Sequence, residues 1–208
     1  MKQNILYILI IIILSSCSSK SKADLINNYE KHSTEIIELK EYFNRIVPKD
    51  YLVRIRYDSS DEIDFFVYEP IPNSEKRELL FRKWNIDYND YKEIPQTDYE
   101  NKYHGKTNSL ELVKEKLNWT NNTFSELYEK LENVNCMGIS NRKPTEIEFG
   151  FIGMGAFSYL IFDENLDEKQ QEDYSDDCSL LFYKNNIVFT YGSGAIGSFC
   201  TPEFKRNN

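Results

Sequence analysis

Histidine is scarce in this chain of 208 residues: His32 and His104 are the only two. Histidines that catalyse or bind metal work with partners. Here one falls in a helical stretch and the other beside Gly105, so both read as lone surface residues. There is no paired-histidine zinc pattern, no Cys-x-x-Cys and no nucleophile elbow. The glycine-rich run 191–198 (YGSGAIGS) has neither the Lys-Ser/Thr of a phosphate-binding loop nor an obvious helix after it. It reads as a turn rather than an anion nest, and the run 150–155 (GFIGMG) reads as a strand end and turn. Positive charge is also short. The 25 Lys and Arg stand against 34 Asp and Glu, a net charge of −9. That balance argues against nucleic acid and against direct docking on anionic lipid.

The first residues fall into three zones. Met1–Asn4 carries one charged side chain, Lys2. Ile5–Leu14 (ILYILIIIIL) is an unbroken apolar run, and Ser15 and Ser16 then lead to Cys17. As a helix this run rises only about 15 Å, half of a bilayer core, too little for a permanent span but suited to a secretory signal. Leu14-Ser15-Ser16-Cys17 resembles the lipobox of bacterial lipoproteins. The resemblance covers only the first 17 to 22 residues. It implies a cut before Cys17, a diacylglyceryl group on its sulfur, and acylation of the new amino group by a fatty acid such as palmitate. Two or more acyl chains, at about 0.8 kcal/mol per buried methylene, give stable membrane attachment. Ser18, rather than Asp, follows the cysteine, and similarity to enteric lipoproteins then favours the outer over the inner membrane of the cell envelope.

The expected organisation is a signal peptide over 1–16, a lipid-anchored polar tether over 17–23 and one α+β domain over 24–208. Removing 1–16 also removes Lys2 and leaves a charge one unit more negative than the −9 of the full chain. With Cys17 assigned to lipid, Cys136, Cys178 and Cys200 remain as disulfide candidates. An oxidising compartment permits one bridge among three pairings, and three buried thiols are the alternative.

Residues 24–47 have the three- and four-residue spacing of an amphipathic helix (Ile26, Tyr29, Ile36, Leu39, Phe43, Ile46), with a polar break at Ser33 and a stop at Pro48. Tyr51, Val53, Ile55 and Tyr57 alternate with polar residues, as do Ile63, Phe65 and Val67, which predicts a hairpin. Residues 70–106 hold Pro70 and Pro72 and much Tyr and charge. They read as mostly loop, with a short helix over Glu75–Trp84. Two helices follow, on Leu110, Val113 and Leu117 and on Phe124, Leu127, Tyr128, Leu131 and Val134, the second opened by a capping box over Thr123–Glu126. Alternation at 147–151, apolar 157–162, and 180–183 and 187–191 about Lys184-Asn185-Asn186 predict a C-terminal antiparallel meander. The fold class is α+β: long N-terminal helix, β-hairpin, two central helices and the meander.

Two segments invite chemistry. Asp163–Asp177 holds eight carboxylates against one lysine. Asp163, Asn165 and Asp167 copy the first three ligands of a calcium loop, but Glu168 stands where the turn needs Gly and Tyr174 where a bidentate Glu belongs. A solvated acidic loop between strands is the plainer reading. Trp84, Tyr88, Tyr91, Tyr99 and Tyr103 offer a surface for sugar or peptide, or else pack their own loop. The function expected is therefore that of a membrane-anchored envelope lipoprotein with a non-enzymatic domain that binds a protein or glycan. No cofactor and no nucleic acid are expected. One alternative is an immunity or inhibitor lipoprotein whose acidic surface meets a basic partner. Another is a hydrolase using Glu146 or Glu148 with an acid from 163–177.

Overall fold

The computed structural model describes residues 21–93, 103–152, 155–176, 178–192, 200 and 204. Cys17 and the expected signal peptide, Tyr99, Asp177 and the run 193–198 lie outside them. The fold is α+β, with eight strands in one antiparallel sheet of order β3-β2-β1-β4-β5-β6-β8-β7.

Helix α1 (Lys22–Ile46) starts earlier than the apolar spacing suggests, because Ser21 caps it. Its hydroxyl accepts from the Asp24 amide, and the Asp24 carboxylate accepts from the Ser21 amide at 2.8 Å, so residues 22 and 23 belong to the helix. The polar break is a kink at His32 (φ −123°, ψ 23°), one residue before Ser33. Beyond the kink Ile36, Leu39 and Phe43 are buried, and Val47 ends the helix in an extended conformation before Pro48.

Strands β1 (Leu52–Tyr57) and β2 (Glu62–Pro70) form the expected hairpin, with Ile55 opposite Phe65. The 70–106 stretch departs from expectation. Arg77–Asp87 is a long strand, β3, paired with β2 in place of the expected short helix. Its alternation is hidden because the register slips twice, between Ile63 and Phe65 and between Val67 and Tyr68. Each slip moves the following side chains to the other face, so a period-2 reading fails. The open side of β3 is partly covered by chain: Lys106 and Thr107 donate to the Leu79 and Leu80 carbonyls at 3.2 and 3.1 Å. Gly105 (φ +101°) permits that approach, since a Cβ there would lie 2.4 Å from the Leu80 oxygen.

Helices α2 (Leu110–Leu117) and α3 (Asn121–Asn133) lie with α1 on one face of the sheet. The cap of α3 falls one turn before the predicted box: Thr123 Oγ1 accepts from the Thr120 amide at 3.1 Å. Trp119, between the helices, donates its indole N–H to the Ile46 carbonyl at 2.9 Å and stacks on Phe65. A buried polar node ties α1 to the meander. The Tyr159 hydroxyl donates to the Leu25 carbonyl, and Asn28 Nδ2 donates to the Val134 carbonyl and the Tyr159 hydroxyl.

Strands β4 (Gly138–Ser140), β5 (Thr145–Ile152), β6 (Gly155–Ile161), β7 (Leu180–Lys184) and β8 (Ile187–Gly192) complete the sheet. The short β4, which no sequence pattern marks, joins the hairpin to the meander by pairing with β1 and β5. Cys178 and Cys200 form a disulfide, and Cys136 is a buried thiol.

Candidate functional site

One face of the sheet is sealed by the three long helices. The other is sealed only over β6, β7 and β8, three of the eight strands. On these strands the outward residues Leu160, Val188, Leu180 and Phe182 pack with Phe162 and with Leu166 and Tyr174 of the acidic segment. That segment is thus a cover held by Leu166, which is buried, and it contains a short helix, α4 (Glu168–Asp173). Three of its carboxylates have structural work. Asp163 pairs with Lys40 at 2.8 Å, and Asp167 accepts from the Gln170 amide at the start of α4. Asp176 accepts from the Cys178, Ser179 and Leu180 amides. Two of the three calcium candidates, Asp163 and Asp167, are therefore engaged, and Asn165 lies exposed between them. Among the described residues no three His, Cys, Asp or Glu side chains gather as a metal site.

Over β3, β2, β1, β4 and β5 no helix or covering segment among the described residues packs on the outward face, although Asp64, Ser140 and Glu148 there are buried among their neighbours. Register places Arg82, Phe66, Arg54, Ser140 and Glu146 side by side across five strands. A second row on the same face runs Asp64, Arg56, Gly138, Glu148 and Ser158. Phe66 lies between two guanidinium groups, Arg54 at 5.9 Å and Arg82 at 5.6 Å from its ring centroid. Arg82 also stands 5.9 Å from the Trp84 ring, and Arg56 stands 5.1 Å from that of Phe151. Trp84 is 48% and Phe151 40% exposed, large apolar side chains left in solvent on a sheet face. The same face holds a hollow of about 440 Å³ whose lining includes Arg54, Phe66, Tyr68, Arg82 and Arg142. Its volume falls in the range of small-molecule sites.

The hydrolase candidates sit on this face, each with an arginine. Glu146 accepts from Arg142 at 2.8 Å, and Glu148 accepts from Arg54 at 3.2 Å. Glu148 is only 4% exposed, because its side chain crosses toward Arg54 over Gly138. Burial lifts its carboxyl above the ordinary glutamate range, while Arg54 opposes the shift. Asp163, Asp167 and Asp176 of the covering segment bond to Lys40, Gln170 and the 178–180 amides, so those acids are not joined to the glutamates.

The aromatic series divides. Trp84 and Tyr103 are exposed, Tyr91 is half-buried, and Tyr88 is core, stacked on Phe124 with its hydroxyl donating to the Ser60 carbonyl. His32 lies 3.3 Å from Asn135 Nδ2, and His104 stands edge-on to Trp84. The sequence did signal the open face: Phe66 and Tyr68 occupy the positions of β2 that alternation assigns outward, and arginines occupy those of β1. Comparison with protein-family models, curated proteins and solved structures returns no match for the chain.

Proposed function

We propose that this chain is a lipoprotein of the cell envelope, anchored through lipid on Cys17, whose domain binds a partner on its open sheet face. The observation that carries the binding role is the partly sealed sheet, where exposed Trp84 and Phe151 share a face with an arginine-lined hollow. Isolated exposed apolar residues are common, but a sheet face with two of them and a hollow suits contact with another molecule. The Cys178–Cys200 bridge supports export, since such bonds persist in oxidising compartments. A binding role fits the site better than hydrolysis, because Glu146 and Glu148 are each held by an arginine. The immunity or inhibitor reading keeps fewer free acids on the acidic segment, because Asp163, Asp167 and Asp176 serve the fold, while Glu164, Glu168, Glu172 and Asp173 stay exposed.

Two measurements test the reading. Mass spectrometry of the mature N-terminus should find a lipidated Cys17, and an unmodified chain starting elsewhere refutes the anchor. A photo-crosslinking residue placed at Trp84 or Phe151 in intact cells should give defined adducts. The same residue at Leu112, exposed on helix α2, should give none. Equal labelling from both sides of the sheet removes the assignment of the open face.

A further inference from the structure

The open face carries charge opposite to that of the whole protein. A second hollow of about 980 Å³ adjoins the first, sharing Leu52, Arg77 and Arg142 with it. It adds Arg45, Lys49 and Lys143 against Asp50 and Asp163, in a chain whose net charge is −9. Within the first hollow the one lining carboxylate, Glu146, is engaged by Arg142, and the nearby Glu148 by Arg54. Arg77 and Arg82 differ. Among the described residues no carboxylate lies within ion-pairing distance of either. Arg77 donates to the Asp50 carbonyl and Arg82 to the Tyr68 hydroxyl, while Arg82 Nε is buried without a hydrogen-bond partner.

A guanidinium presents a planar fork of donors that matches the two oxygens of a carboxylate or phosphate. Phe66, framed by Arg54 and Arg82, supplies an apolar wall beside those donors. We infer that the hollow bounded by Arg82, Arg77, Arg142 and Phe66 binds a small organic oxyanion, a carboxylate or phosphate carried on a planar apolar group. This deepens the binding role proposed above and rests on it. A small ligand fits the first hollow, where the arginine donors and the Phe66 ring meet in about 440 Å³, within the range of small-molecule sites.

The test uses the full chain in non-ionic detergent, titrated by calorimetry with phenyl phosphate, benzoate, benzylamine and an acidic tetrapeptide. One or both anions should saturate with a dissociation constant near or below about 1 mM, and benzylamine should not bind. The phosphate and benzoate arms tell which oxyanion is preferred. Arg82→Gln should weaken binding at least tenfold. Arg142→Gln, whose side chain is half exposed and removable without unfolding, should weaken it several-fold. Lys130→Gln on α3 should change nothing.

The inference is overturned if neither anion saturates by about 10 mM, if benzylamine binds as well, or if both arginine variants bind like wild type. Tighter binding of the tetrapeptide overturns it in favour of an acidic protein partner. Crosslinks from Trp84 and Phe151 that persist without anion binding remove only the ligand class. Loss of both removes the binding face as well.

Discussion

Arg54 Nη2 lies 3.2 Å from Glu148 Oε2, although their strands, β1 and β5, are separated by β4. The pair closes across Gly138, the one position of the row with no side chain. Glu148 is consequently buried, and burial raises its pKa above the unfolded value, with Arg54 opposing. A carboxyl raised on folding stabilises the protein below the unfolded glutamate pKa, and that contribution is lost as pH rises through the folded value. Glu148→Gln cannot titrate. Thermal melts at about pH 4 and pH 7 should therefore show the variant gaining on wild type as pH rises. A gap that stays constant, or moves the other way, would contradict the raised pKa.

Gly138→Ala tests the crossing directly. A Cβ there would meet the Ile55 carbonyl oxygen at 2.9 Å and Glu148 Oε2 at 3.1 Å. The first contact is backbone in the adjoining strand, so relief requires β4 to shift. Urea unfolding should report a loss of about 1–3 kcal/mol, typical of overpacking. An unchanged midpoint would show that β4 is looser than its pairing implies.

The covering role of the acidic segment is separable from its charge. Leu166 is 5% exposed against Leu160 and Val188. Leu166→Ala should cost about 2–5 kcal/mol, as buried leucine truncations do. Glu164→Gln, on the exposed side of the same segment, should stay within about 0.5 kcal/mol. Hydrogen exchange should rise over β7 and β8 in the first variant alone.

Loss of the Cys178–Cys200 bridge should also be visible. The two cysteines are 22 residues apart, and a loop of that size corresponds to about 3 kcal/mol of denatured-state entropy. Cys200→Ser, or reduction of the wild type, should lower the unfolding midpoint accordingly. Cys136→Ser leaves the bridge intact, so reduction should still lower that variant's midpoint.

Elements with clean periodicity are legible in the amino-acid sequence alone. The stripe Ile36, Leu39 and Phe43, the alternation Val53, Ile55 and Tyr57, and the Lys184-Asn185-Asn186 turn each specify local geometry through one repeating burial pattern. The lipobox resemblance at Cys17 is likewise purely local. Strand β3 is not legible, because two register slips scramble its faces and only pairing with β2 shows it to be a strand. The cap of α3 sits one turn earlier than the sequence suggests, since Thr120 and Thr123 are alike in type and helix packing chooses between them.

The site divides the same way. Sequence puts arginines on the polar side of β1 and Glu146 and Glu148 on that of β5, and it marks 163–177 as unusual. It does not show that short β4 brings those strands together, or that Leu166 folds the acidic segment over β6, β7 and β8 and leaves β1 to β5 open. Which face of a sheet stays uncovered depends on contacts between residues far apart in the chain. Local periodicity marked most of the strands, and local pattern alone carries the lipobox resemblance; long-range packing decided where solvent reaches the sheet and which arginines, among the described residues, keep no carboxylate.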